Sequence, residues 1–140
     1  MKNTEIFIDA NIIIDVFLQN ERLFEESAIV LEICRNGKLN SSLAPHTITN
    51  IWFVARKEMS SLERRAALKE LLKFVDVVEI GKTELNEAIE LTEIEDLEDA
   101  LQAVCARKYN AEFIITRDLS GFKYSPVPAI SPVEFIKKFG

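Results

Sequence analysis

The sequence predicts a three-layer α/β/α domain built on a mainly parallel sheet of four to five strands. Short runs suited to buried strands recur at 6–8, 39–44, 75–80, 112–116 and 127–130. Segments of helical periodicity separate them throughout, the pattern of strand–helix–strand units with right-handed crossovers. With 140 residues, 48% apolar and 29% charged, the chain reads as one globular domain over 1–140, long enough for a core and too short for two.

Each element has its own signal. Ile6-Phe7-Ile8 is apolar without alternation, as in a strand buried on both faces. Residues 10–18 read as a short buried helix, broken by Gln19-Asn20-Glu21. A helix over 22–35 follows, with Leu23, Ala28, Leu31 and Cys34 at apolar positions and Asn36-Gly37 as its left-handed stop. The second strand, 39–44, carries polar Asn40-Ser41-Ser42. Pro45-His46-Thr47 opens the next helix, with Thr47 as N-cap and Ile48, Ile51, Trp52 and Ala55 on one face. Ser60 or Ser61 caps a helix bearing Leu62, Ala66, Leu68, Leu71 and Leu72. After the third strand, 75–80, and Gly81, a helix runs from Thr83 to Leu91. The acidic turn at 93–96 leads into a helix from Leu97 to Tyr109, stopped by Asn110. The fourth strand, 112–116, ends in Arg117-Asp118. The last strand, 127–130, precedes Ser131-Pro132, a cap followed by proline at the first helical position, and a helix over 133–139.

Composition narrows function without choosing it. A net charge of −6 argues against a broad basic face for nucleic acid, yet allows an enzyme acting on nucleic acid through a local site. Cys34 and Cys105 lack CxxC or Cys/His spacing and read as buried thiols of a reducing compartment. His46 has no second histidine to complete a zinc site and reads as a helix-start or surface residue. No apolar run approaches the ~20 residues that span a bilayer, and the N-terminus lacks a signal-peptide pattern. A cytoplasmic protein is expected.

The chemistry-bearing pattern is acidic. Asp9 follows the first strand and Asp118 the fourth, and parallel strands present their carboxyl ends at one edge, where open α/β folds bind ligands. Asp9 is either a metal ligand or a cap for the next helix. Asn11 and Asp15 follow at helical spacing and would both look out from that helix. On the 97–109 helix, Leu97, Ala100, Leu101, Val104 and Cys105 form the apolar stripe, with Asp96 and Asp99 on one flank. Asp96 is a good N-cap, and Glu98 and Asp99 would then sit in the first turn, favoured by the helix dipole. Two carboxylates ~4 Å apart repel by roughly 4 kcal/mol at an effective dielectric near 20. Three meeting at one edge therefore need a cation, and oxygen donors suit Mg²⁺ or Mn²⁺, which support phosphodiester hydrolysis.

Three motifs in order, Ile8-Asp9-Ala-Asn11 through Asp15, Asp99-Ala-Leu-Gln through Ala106, and Ile114-Ile-Thr116-Arg117-Asp118 with Phe122 following, resemble the PIN-domain ribonucleases. That family includes the VapC-type toxins of toxin–antitoxin pairs, and the likeness extends to Ile130-Ser-Pro-Val-Glu-Phe135. The resemblance implies a PIN-like fold, RNA as substrate and Mg²⁺ or Mn²⁺ held by the catalytic Asp9, Asp99 and Asp118. It gives Asn11 and Thr116 supporting roles, and implies a small antitoxin over the acidic groove and a homodimer. The family commonly carries a Glu on the helix after strand two, within T-x-x-E-x-x-x-x-x-R. Here Thr47 to Arg56 places Asn50 at that point, as in a subgroup. An amide offers an oxygen but no charge and no base. Asp96 is the candidate to supply the missing carboxylate.

The leading expectation is a metal-dependent endoribonuclease, with Arg117, Lys57 and Lys123 meeting the RNA backbone. A PIN-like module without catalysis, binding RNA or protein, is the alternative that Asn50 favours. A haloacid-dehalogenase-type phosphatase also wants an Asp after strand one, but requires D-x-D where this chain has Asp9-Ala-Asn11.

Overall fold

The structure, a computed structural model, describes residues 4–140. Five strands run parallel in one sheet: β1 (Thr4–Ile8), β2 (Leu39–Leu43), β3 (Asp76–Val77), β4 (Phe113–Ile115) and β5 (Ala129–Ile130), in the order β3-β2-β1-β4-β5. The helices are α1 (Ala10–Phe17), α2 (Phe24–Arg35), α3 (Pro45–Val54), α4 (Ser61–Leu71), α5 (Lys82–Glu90), α6 (Leu97–Lys108) and α7 (Pro132–Phe139). The expected parallel α/β/α architecture is what forms.

Central β1 explains the layering. Ile6, Phe7 and Ile8 are all fully buried, and burying each is worth roughly 1.5–3 kcal/mol. Ile6 and Ile8 point into one core with Ile12, Ile13, Val30, Ile51 and Phe135. Phe7 points into the other with Val104, Ala103, Ile114 and Phe122. The two-residue period of the strand thus feeds both faces at once. Strand β2 tolerates its serines because both hydroxyls are satisfied: Ser41 donates to the Phe74 carbonyl at 3.2 Å and Ser42 to that of Ile6 at 3.3 Å. Gly37, at φ +82°, and Asn110, at φ +62°, end α2 and α6 in the left-handed region as expected.

Several boundaries differ from the sequence expectation. Strand β3 is only Asp76–Val77, an edge strand that follows β2 through the Val78 N–H to Leu43 carbonyl bond (3.0 Å) and then leaves the sheet. Thr47 does not cap α3: Ala44 precedes the helix, Pro45 takes its first turn, and Thr47 lies buried inside it. Ser60, rather than Ser61, caps α4, in a reciprocal box with Glu63. On α4 the buried face is Leu68 and Leu71, while Leu62 is 80% exposed. Leu97, assigned to the α6 stripe, is exposed at the helix start. Both cysteines are buried and free, their thiols pushed up to about 12 by burial. Among the described residues, no helix is long and apolar enough to cross a membrane.

Candidate functional site

The carboxyl ends of β1 and β4 and the amino end of α6 meet at one rim. Asp9 continues β1 by donating its N–H to the Ile115 carbonyl at 3.0 Å, which fixes it beside β4. It holds the N-cap position of α1, yet its side chain makes no capping bond. Instead both carboxylate oxygens accept bonds from other elements. Gln102 Nε2 of α6 donates to Oδ1 at 2.9 Å, and Thr116 Oγ1, at the end of β4, donates to Oδ2 at 2.6 Å. Asp9 is only 5% exposed, so these charge-assisted bonds hold it in one orientation.

Thr116 is fully buried and works in both directions. Its oxygen also accepts from the Asp118 N–H at 2.9 Å and from Asn11 Nδ2 at 3.5 Å. The chain then turns so that Asp118 Oδ1 accepts from Ser120 Oγ at 2.9 Å and from the Gly121 N–H at 3.1 Å. Asp99, in the first turn of α6, comes in from the other side. A Cβ placed on Gly121 would stand 2.5 Å from Asp118 Oδ2 and 3.1 Å from Asp99 Oδ2. Both carboxylates therefore border the same small space, which only a glycine leaves open. Burial, then the charges of Asp9, Asp96 and Asp118, push the Asp99 carboxyl up to about 6.

Asp96 does cap α6: its Oδ1 accepts from the Asp99 N–H at 3.0 Å. It adds negative potential at Asp99, but one of its oxygens is taken by the helix. Asn50 is half-buried, one turn beyond His46 on the same face of α3. His46 itself stands at the rim, where burial lowers its basicity and the Glu98 and Asp9 charges partly offset that.

Two expectations about charge are corrected. Asp15 does not look out: it is 2% exposed, accepts from Ser27 Oγ at 2.8 Å, and is held by Arg117 through Nε at 2.7 Å and Nη2 at 2.8 Å. Arg117 is consequently turned inward rather than toward RNA, because the buried carboxylate is its stronger partner. Lys57 is exposed at the end of the short 3-10 turn that follows α3. Lys123 is exposed two residues after Gly121, with its ammonium 5.4 Å from the Tyr124 ring centre. Phe53 is 60% exposed, with the Arg56 guanidinium over its ring.

Sequence reasoning gave Gln102 and Gly121 no site role and read His46 as a helix-start or surface residue. Each left a trace: a lone amide inside an apolar helical stripe, a glycine three residues after an acid, and a histidine directly after a strand end. The donors assembled are hard oxygens with excess negative charge, and Asn11 Oδ1 is buried with no hydrogen-bond partner among the described residues. Such a set fits a divalent cation of the Mg²⁺ or Mn²⁺ type. Among the described residues, no three His, Cys, Asp or Glu side chains already stand in coordination geometry. The carboxylates border a space rather than closing on a point.

Fold and site define a parallel α/β domain with an acidic crevice at the carboxyl edge of its sheet. The family model for the PIN domain matches residues 5–120, and the chain belongs to the PIN-domain family. It is 30% identical to Ribonuclease VapC1 of Aquifex aeolicus (strain VF5), over 99% of this chain and 98% of that protein. Among solved structures it resembles VapBC2 from Rickettsia felis, bound to a DNA fragment from their promoter, with TM-score 0.69, 17% identity and 91% and 98% of the two chains covered. A toxin–antitoxin complex from Klebsiella pneumoniae gives TM-score 0.69 at 21% identity, covering 90% and 96%. At those identities the structures speak for the fold.

Proposed function

We propose that this chain is a divalent-metal-dependent endoribonuclease, the toxin of a toxin–antitoxin pair. The observation that carries the reading is the meeting of Asp99 and Asp118 over Gly121, with Asp9 fixed behind them at the carboxyl edge of the sheet. The ribonuclease name of the Aquifex aeolicus relative, across nearly the whole chain, supports RNA as substrate. The toxin–antitoxin assemblies that share the fold support an antitoxin as partner. A homodimer is part of the same reading.

Asp9, Asp99 and Asp118 would hold Mg²⁺ or Mn²⁺, with Asn11 Oδ1 supporting. The chemistry such an ion would supply when bound is Lewis-acid: neutralising charge on the phosphate and easing the deprotonation of the water that attacks phosphorus. The chain's own residues prepare this. Thr116 and Gln102 keep Asp9 in one orientation, and Ser120 with the Gly121 N–H does the same for Asp118. Asp99, raised by burial and its acidic neighbours, keeps its proton up to about pH 6, so the crevice reaches its full negative charge only above that pH. Lys123 meets the RNA backbone beside the crevice.

In this reading Asn50 stands as an amide where the family's usual second acid would be, as in a subgroup, and Asp96 adds negative field at Asp99 with one of its oxygens already taken by the helix. The same residue favours a second reading, a PIN-like module that binds RNA or protein without cleaving it. Cleavage of single-stranded RNA with Mn²⁺ separates the two. Wild type should cut and Asp9→Asn should not. Wild type that binds RNA yet shows no metal-stimulated cutting favours the second reading.

A further inference from the structure

Gln102 is 3% exposed on a helix whose buried neighbours are otherwise small or apolar, including Ala103, Val104, Cys105 and Ala106. A buried amide needs partners for both of its ends. Gln102 has them more than ninety residues away in sequence: Oε1 accepts from the Ala10 N–H at 3.2 Å, and Nε2 donates to Asp9 Oδ1 at 2.9 Å. Flipping the amide would set an NH₂ against an N–H and an oxygen against a carboxylate. Only one orientation satisfies both contacts.

Ala10 is the first residue of α1, and its N–H is one of the helix-end donors that have no partner inside the helix. An Asp at the N-cap ordinarily turns its carboxylate back onto the N–H of the second or third helical residue. Asp9 holds that position and makes no side-chain cap. We infer that Gln102 is a positioning residue that satisfies the first N–H of α1 and aims the uncapped Asp9 carboxylate at the ion. One amide thereby ties together the amino end of α1, the acid after β1 and the helix that carries Asp99. This rests on the ribonuclease reading for its consequence in catalysis, but the contact itself needs no metal.

The test compares wild type, Gln102→Met, Gln102→Glu and Asp9→Asn as full chains, by Mn²⁺ titration calorimetry, RNA cleavage and hydrogen exchange of the Ala10 amide. Gln102→Met keeps length and loses both bonds. Mn²⁺ affinity should fall by roughly 10- to 100-fold, the cost typical of losing a partner that orients a ligand. The kcat should fall alongside while KM for RNA stays within about twofold, and the Ala10 amide should exchange at least about tenfold faster. Gln102→Glu retains an acceptor for Ala10 but offers a carboxylate no proton, so the Ala10 amide should stay protected while kcat falls. Wild-type kcat and Mn²⁺ affinity in a folded Gln102→Met, or wild-type kcat in Gln102→Glu, overturns the inference. The ribonuclease reading fails separately if wild type binds no Mn²⁺. Ala10 exchange then still decides the role of Gln102: protection lost in Gln102→Met supports it and protection unchanged overturns it.

Discussion

Two aspartates of the first strand–helix unit are almost equally buried, Asp9 at 5% exposure and Asp15 at 2%, and their surroundings are opposite. Asp15 has its own cation, the two-pronged Arg117, and a hydroxyl from Ser27. Among the described residues, Asp9 has only neutral side-chain donors, Gln102 and Thr116, with Asp99 and Asp118 as further negative neighbours. Even their partners are adjacent in sequence: Thr116 turns to one and Arg117 to the other. A buried carboxylate whose charge is matched inside the protein is structural. One that is oriented by neutral groups and crowded by like charge is arranged for a cation from outside.

The largest expected effect breaks that contrast at Asp9. Asp9→Asn should lower Mn²⁺-dependent RNA cleavage by roughly a thousandfold, about 4 kcal/mol of transition-state stabilisation, with an unchanged circular dichroism spectrum. Cleavage within about twofold of wild type would remove Asp9 from the site. Next, Mn²⁺ at about a hundred times its Kd should stabilise wild type by about 2.7 kcal/mol in urea unfolding and leave Asp9→Asn unaffected. Equal stabilisation of both proteins would place the ion elsewhere.

At the other aspartate the loss should fall on stability. Asp15→Asn removes the charge facing Arg117, and the urea midpoint should drop by the equivalent of about 2–3 kcal/mol. The figure stays at the lower end because the Arg117 side chain is 32% exposed and can regain water. Cleavage per folded molecule should stay near the wild-type value. A specific loss of cleavage in a stable Asp15→Asn would erase the distinction between the two carboxylates.

The smallest effect is a pH dependence at Asp99. Its carboxyl titrates at about 6 in the folded protein, above the ordinary value of 3.8. The native state therefore binds this proton more tightly than the unfolded chain. Its contribution favours folding below pH 4 and is lost as pH rises toward 6. Without metal, Asp99→Asn should melt a few degrees above wild type at pH 7, and the gap should close by pH 4. A gap that persists at pH 4 would point to a cause other than charge.

Much of this was legible in the sequence, for identifiable reasons. Parallel order followed from Ile6-Phe7-Ile8 and Phe113-Ile114-Ile115, whose unbroken apolar runs only a two-sided sheet can bury. Asp9 and Asp118 followed because such strands share one carboxyl edge, and Asp96 because capping is local. What stayed hidden was long-range pairing. Arg117 and Asp15 lie about a hundred residues apart, and no periodicity reveals that one neutralises the other. Gln102 finds both of its partners, Ala10 and Asp9, more than ninety residues away, beyond the reach of local spacing. Of the apolar residues read onto α4, only Leu68 and Leu71 are buried, while Leu62 and Leu72 are exposed, a choice of face that the sequence does not make. Strand β3 was overdrawn because V-D-V-V-E-I has strand composition, whereas an edge strand needs only the part that meets its neighbour.

The central claim, that the three aspartates share a divalent cation, is tested most directly by diffraction from a crystal soaked in Mn²⁺. The account predicts an anomalous peak bordered by Asp9, Asp99 and Asp118 over Gly121, absent in Asp9→Asn. A soaked crystal with no peak in that crevice, or with its only peak on another face, would contradict it.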